Sequence, residues 1–279
     1  MNKSLVSIVI PTKQSARFLA DVLLSIKNQS YSSIEVLIID GYSTDETVSI
    51  ASDFGLIPVL FESGVPEGKF DAPHRRNHGA RIARGEYVYY VDTDMVLQPT
   101  LIEECVSLCE SGASAVIIEE RSFGTGIWAM AKSLERSCYV GDNTIEAPRF
   151  FPKNVWNQLG GLDESLGGGG DDWDLHEKLK ASNKIVMRTK SFVMHNEGNL
   201  KIKSLIKKRF MYGRDSIAYI KKRPRKAVLS YFPVRFAFIR NWKLLLQNPL
   251  LTLVMIIMRI LEYSSGALGI IYAKTTSKK

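Results

Sequence analysis

The sequence predicts an α/β fold: an open, mainly parallel sheet flanked by helices, followed by a helical segment that is first basic and then apolar. Three observations carry this. Short apolar runs alternate with stretches of helical period as far as residue 91, and acidic residues close several of those runs. The charge is also uneven. Residues 201–226 hold eleven Lys and Arg against one Asp, more than the whole chain's net charge of +8, which leaves the remainder slightly acidic.

Residues 5–10 form a β-branched run closed by Pro11, and residues 17–28 then carry Phe18, Leu19, Val22, Leu23 and Ile26 at helical spacing. Residues 35–39 are a second strand ending at Asp40-Gly41. Ser43-Thr44-Asp45-Glu46 offers capping chemistry before a helix over 47–54. Residues 58–61 suit a third strand, Pro73 opens a helix that Gly85 stops, and 87–91 is a fourth strand. Beyond lie a helix at 100–110, a strand at 115–118, a helix at 127–138, a helix at 172–181, and separate β-like segments at 184–188 and 192–194. The character changes near residue 200, dividing the chain into a catalytic unit over 1–200 and a basic, amphipathic helical region over 201–279.

Composition is that of a globular protein, 45% hydrophobic and 24% charged, which excludes disordered and fibrous classes. Three cysteines make no disulfide framework, and the first ten residues hold only a six-residue apolar run, short for a signal peptide. The expected location is therefore the cytoplasmic face. No Gly-Lys-Ser/Thr loop or Gly-X-Gly-X-X-Gly turn is present, which argues against a P-loop ATPase and a dinucleotide dehydrogenase.

In such sheets ligands bind beyond the carboxyl ends of the strands. Asp40 ends the second strand and Asp92-Thr93-Asp94 the fourth, so three carboxylates are expected on one rim. Hard oxygen donors of that kind suit Mg²⁺ or Mn²⁺, with a substrate phosphate completing the shell. Loop aspartates making turns are the plainer reading of any single instance.

Ser7-Ile8-Val9-Ile10-Pro11-Thr12, Asn28-Gln29-Ser30-Tyr31, Asp40-Gly41-Tyr42-Ser43-Thr44-Asp45, Arg76-Asn77-His78-Gly79, Gly85-Glu86-Tyr87 and Asp92-Thr93-Asp94 follow in order. Gly160-Gly161-Leu162-Asp163-Glu164 and Asp171-Asp172-Trp173-Asp174-Leu175 come after. This ordered set, over about residues 5–195, resembles glycosyltransferase family 2. The resemblance implies a GT-A fold, a nucleotide-sugar donor, a divalent metal and inversion at the anomeric carbon. By position it implies that Pro11, Thr12, Asp40 and Asp92 hold base and ribose, and Thr93, between the two acids, is counted among the substrate-binding residues. Asp94 binds the metal that bridges the diphosphate, and Arg76 reaches the nucleotide. Lys13-Gln14-Ser15 and Gly41-Tyr42 depart from the family pattern near the nucleotide, leaving uridine and guanosine both open.

The family places its base at the second acid of the pair, here Asp172, with Asp171 where Glu is usual among the substrate-binding residues. That base would take the acceptor hydroxyl's proton. Adjacent acids at a helix start also complement the dipole, the plainer alternative. Trp173 stacks on an acceptor sugar or belongs to the core. His195 is either structural or a second metal ligand beside Asp94, because relatives frequently place a metal-binding histidine there.

Basic runs such as Lys207-Lys208-Arg209 and Lys221-Lys222-Arg223 precede aromatic and apolar residues, and residues 244–258 are apolar but broken by Gln247-Asn248-Pro249 and stopped at Arg259. That is short of the roughly twenty residues of a span. Helices lying in the membrane interface, basic residues against anionic head groups, are expected, with a cap on the catalytic unit or a dimer interface as the alternative. The main expectation is an inverting glycosyltransferase moving a sugar from a UDP- or GDP-sugar to a hydroxyl of a lipid-linked or cell-surface glycan. Nucleic acid is not among its partners. The alternatives are a polyprenyl-phosphate glycosyltransferase, whose acceptor oxygen needs no base, and a non-catalytic membrane- or nucleic-acid-binding module.

Overall fold

The computed structural model describes residues 3–166, 170–231 and 235–276. Residues 167–169 of the glycine run, expected to form a lid or acceptor loop, lie outside that set, as does Phe232. The chain begins with the alternation its apolar runs predict: β1 (Val6–Thr12), α1 (Ala16–Lys27), β2 (Ile34–Asp40), α2 (Thr47–Asp53), β3 (Val59–Leu60), α3 (Ala72–Ile82) and β4 (Tyr87–Tyr90). These four strands pair in parallel. Successive side chains on β1 point to opposite faces: Val6, Ile8 and Ile10 pack with Leu19, Val22 and Ile26 of α1, while Val9 packs with Ile39, Ala80 and Tyr90. Both faces are covered, which is why β1 reads as an uninterrupted apolar run.

The second half is β5 (Met95–Leu97), α4 (Leu101–Glu110), β6 (Ala115–Thr125), α5 (Ile127–Tyr139), β7 (Phe150–Pro152), α6 (Lys153–Leu159), α7 (Gly170–Ala181) and β8 (Val186–Asn199). It completes an eight-stranded sheet of order β3-β2-β1-β4-β7-β6-β8-β5. The sheet is mixed here: β7 lies antiparallel between β4 and β6, and β5 antiparallel on β8, whereas β6 and β8 are parallel. The segments at 184–188 and 192–194 are one strand, not two. Their apparent break is an irregularity opposite Ile117 and Glu119, where Glu104 accepts the backbone N–H groups of Lys190 at 2.7 Å and Ser191 at 2.8 Å.

After Leu200 come α8 (Ile202–Asp215), α9 (Ile217–Lys222), α10 (Pro224–Tyr231), α11 (Phe236–Arg240), α12 (Trp242–Gln247) and α13 (Pro249–Thr276). The expected stop at Arg259 is corrected. α13 runs for 28 residues and is long and apolar enough, by length and composition, to cross a membrane. Arg259 and Glu262 do not end it because they face inward, 7% and 2% exposed, against Glu135 and Lys132 of α5. α8 and α13 approach backbone to backbone. A Cβ at Gly213 would run into the carbonyl of Gly266, and one at Gly269 into that of Phe210.

Candidate active site

β4 ends in Asp92-Thr93-Asp94, and two strand pairings bring partners to it. The antiparallel β4–β7 ladder sets Arg149 against Tyr90, and the β5–β8 ladder pairs Met95 with His195, with Asn196 N–H donating to the carbonyl of Asp94 at 2.7 Å. The result is a cavity of about 540 Å³ lined by Pro11, Asp92, Thr93, Asp94 and His195 together with Asp171, Asp172 and Trp173 of α7.

A chain of alternating charge crosses its floor. Arg76, 4% exposed, donates from Nη1 to Asp171 Oδ2 at 3.1 Å and Asp172 Oδ1 at 3.4 Å, and from Nη2 to Asp92 Oδ1 at 2.6 Å. Arg149 donates to Asp92 Oδ2 at 2.9 Å and pairs with Glu120 at 3.1 Å. Arg136 continues from Glu120, at 2.7 Å, to Glu197, at 3.1 Å. Burial disfavours an ionised Asp92, but the Arg76 and Arg149 guanidiniums outweigh it and hold that carboxyl well below the usual carboxylate range. Asp171 goes the other way: burial first, then the neighbouring Asp172 charge, push it up to about 7 despite Arg76.

Asp94 Oδ2 lies 3.0 Å from His195 Nε2, while Asp94 Oδ1 and His195 Nδ1 are buried without a hydrogen-bond partner. Buried polar atoms are normally satisfied, so a free carboxylate oxygen beside an imidazole is a place for a cation. One oxygen and one nitrogen donor fit Mn²⁺ or Mg²⁺ only if a diphosphate and water fill the shell. Among the described residues no cluster of three His, Cys, Asp or Glu would hold an ion unaided. Asp172 lines the same cavity, its side chain 20% exposed, its Oδ1 accepting the Tyr90 hydroxyl at 2.9 Å.

Several expected positions differ. Thr12 and Asp40 are fully buried and do not line the cavity, so the expected rim of Asp40, Asp92 and Asp94 is corrected to Asp92 and Asp94. The chain itself takes up Asp40: Thr12 Oγ1 donates to it at 2.8 Å, Ser43 N–H at 2.7 Å and Ser43 Oγ at 2.6 Å, closing the β1 and β2 ends. Arg76 lies beneath the acids instead of reaching outward. Trp173 is half-buried, its Nε1 donating to the Ile145 carbonyl at 3.1 Å and its ring against Tyr219 and Tyr231. Lys208 and Arg209, expected at a membrane surface, line the cavity because α8 lies across it.

Sequence reasoning missed Glu120, Arg136, Arg149 and Glu197. The available signal was charge at the edge of apolar strands: Glu119-Glu120 after residues 115–118, and Arg149 before Phe150-Phe151.

The description "Glycosyl transferase family 2" matches residues 7–163, more than half of the chain. Chondroitin synthase of Escherichia coli is 29% identical over 216 residues, 72% of this chain and 30% of that protein. The chain spans about a third of the length of the curated relatives it matches first. Among solved structures, the mannosyltransferase PcManGT from Pyrobaculum calidifontis, in complex with GDP-Man and Mn²⁺, aligns with a TM-score of 0.70 at 17% identity, covering 98% of this chain and 88% of that one. S. aureus TarS 1-349 in complex with UDP-GlcNAc aligns at 0.55 and 15% identity, covering 98% and 90%. These structural likenesses speak for the fold, which is GT-A. By its sequence match and its architecture, this chain belongs to glycosyl transferase family 2.

Proposed function

We propose that the chain is a glycosyltransferase that takes a UDP- or GDP-sugar, uses Mn²⁺ or Mg²⁺, and transfers the sugar with inversion to a hydroxyl of a lipid-linked or cell-surface glycan. The observation that carries the reading is one cavity lined both by the Asp94–His195 pair, its carboxylate oxygen unpartnered, and by Asp172. The two relatives solved with GDP-Man and with UDP-GlcNAc support a nucleotide-sugar donor and leave both bases open.

Asp94 and His195 would hold the metal, which supplies neutralising charge to the departing nucleoside diphosphate. Pro11 and Thr93 line the same cavity, where they would contact the donor. Asp172 removes the acceptor hydroxyl's proton as the hydroxyl attacks the anomeric carbon. Arg76 and Tyr90 fix the Asp172 carboxylate in place, and Arg76 with Arg149 keeps Asp92 ionised. A base serves a hydroxyl acceptor; a polyprenyl phosphate would not need one.

The membrane part of the proposal rests on α11 to α13. Phe236, Trp242, Leu246, Leu250, Leu253, Ile260 and Leu268 are exposed on the described surface, and large apolar side chains exposed on successive elements are what a membrane-contacting face presents. α13 nonetheless keeps its other face against α5 and α8 through Arg259 and Glu262. Crossing a bilayer would take those pairs and the basic residues of α8 into hydrocarbon, so we read α13 as lying in the interface plane. Three free thiols, Cys105, Cys109 and Cys138, support a reducing compartment and hence the cytoplasmic face.

The test is thermal denaturation with UDP, GDP and their sugars, with and without Mn²⁺. At a hundredfold excess over Kd one nucleotide should add about 2.7 kcal/mol, several degrees in Tm, only when Mn²⁺ is present. Asp94→Ala should lose that gain. No shift with any nucleotide and metal would overturn the proposal.

A further inference from the structure

Of the lysines and arginines that line the proposed donor cavity, all but one are paired with carboxylates of the chain. Arg75 pairs with Asp71 at 2.6 Å and Arg209 with Glu262 at 2.8 Å, while Lys132 lies between Glu135 and Glu262, and Arg136 between Glu120 and Glu197. Arg76 and Arg149 hold the acids of the floor. Lys208 is the exception: among the described residues its ammonium has no carboxylate within ion-pair distance and no hydrogen-bond acceptor. A lysine on an open surface needs no partner, but Lys208 shares its cavity with another unspent group, Asp94 Oδ1. Tyr212 first, and Asp94 after it, hold the Lys208 ammonium above the usual lysine range, yet Lys208 and Asp94 form no ion pair. A cation and a carboxylate that face one cavity without closing on each other leave room for a group carrying both signs, which a metal-bound phosphate does.

The pattern of α8 fixes Lys208 in that place. Leu205 and Gly213 are the buried positions of the helix, and Gly213 packs against the carbonyl of Gly266 in α13. The Arg209 pair with Glu262 ties the same turn to α13. Tyr212, one turn after Lys208, carries the ammonium over its ring at 5.6 Å and meets Phe70 edge-on at 5.7 Å. We infer that Lys208 binds the donor's diphosphate next to the Asp94–His195 pair, so that α8 completes the donor site. In transfer the bond from the anomeric carbon to the phosphate oxygen breaks and its electron pair stays on that oxygen. The acceptor oxygen bonds to the carbon as its proton passes to Asp172. Lys208 then faces charge that grows on the leaving diphosphate. The inference rests on the glycosyl-transfer reading and deepens it by giving the leaving group a counter-charge from the C-terminal helices.

The test is calorimetric titration of the full chain with UDP and with GDP in the presence of Mn²⁺. Lys208→Met should weaken the nucleotide that the parent binds by at least about tenfold, the scale of a lost charge-assisted hydrogen bond. The Tm of the nucleotide-free chain should not change, because Lys208 is exposed and holds no other side chain in place by an ion pair. Lys208→Arg keeps the charge and should recover most of the affinity. Lys207→Met removes the same charge from the next residue, which lines a smaller cavity of about 260 Å³ and not the donor cavity. It should change affinity by less than about twofold. Binding by Lys208→Met within twofold of the parent would overturn the inference. So would an equal loss in Lys207→Met, which would make the effect one of general surface charge, or an Arg variant as weak as the Met variant. A parent chain that binds neither nucleotide would overturn the glycosyl-transfer reading itself, whereas a parent that binds and a Met variant that binds equally well would remove only the role of Lys208.

Discussion

The floor of the donor cavity and the interface between α5 and α13 are both built from buried alternating charges, but they end differently. In the interface, Lys132, Glu135, Arg209, Arg259 and Glu262 pair with one another, and both carboxylates are shared between cations. On the floor, Arg76 and Arg149 hold Asp92, Asp171 and Asp172, yet Asp94 Oδ1 and Asp171 Oδ1 remain buried without a partner. A network that closes on itself fixes two elements together. One that stops short leaves binding capacity for something not of the chain. The α5–α13 network thus holds the apolar helix against α5 and α8, and the floor keeps the unpartnered oxygens that the proposed reaction would use.

The sharpest way to break the comparison is to open the closed network. Glu262→Gln removes the shared partner of Lys132 and Arg209 at a position 2% exposed. It should cost about 3–5 kcal/mol, measured by urea denaturation, because uncompensated buried charge is left behind. A cost below about 1 kcal/mol would mean the network is not closed in solution.

A smaller effect tests the outer face of α13. Leu253 is 56% exposed, so Leu253→Ser should leave folding stability within about 0.5 kcal/mol. It should weaken binding to anionic vesicles by about tenfold, as expected for losing most of one leucine's transfer energy. Unchanged vesicle binding, or none by the parent chain at low salt, would take α13 out of the membrane.

A pH-dependent effect lies on the floor. Asp171 titrates near 7 when folded and near 3.8 as a free carboxyl. Between those values the folded chain holds a proton that the unfolded chain has lost, so its stabilising contribution is complete below about pH 4 and lost as pH rises through 7. Asp171→Asn, which cannot titrate, should be less sensitive than the parent to a rise from pH 4 to pH 8 in thermal denaturation. Equal slopes would place the raised proton elsewhere.

The same contrast explains what could be read from sequence. Alternation of apolar runs and helical spacing gave β1 to β4 with the helices between them, since those contacts are local in pattern. Asp172 and His195 stand out only through the family resemblance, His195 lying inside β8, whereas Asp92 and Asp94 are visible in the sequence as acids that follow a strand. Asp40 looked the same from sequence, and only the structure shows its lone pairs consumed by Thr12 and Ser43. Arg259 looked like a helix stop because its partner Glu135 lies 124 positions earlier, and Arg149 looked incidental because β7 is only three residues long. Long-range pairing decides whether a charge ends an element, supports a site or acts in it, and one-dimensional patterning does not carry it.

In the proposed reaction Asp172 acts on the acceptor while Asp94 and His195 serve the donor. Its most direct test is the transfer rate of Asp172→Asn with a nucleotide sugar and Mn²⁺, measured beside its Mn²⁺-dependent nucleotide binding. Binding should be unchanged and transfer slowed by about 10²–10⁴-fold, the scale of a lost general base. Transfer at the parent rate with binding intact would contradict it.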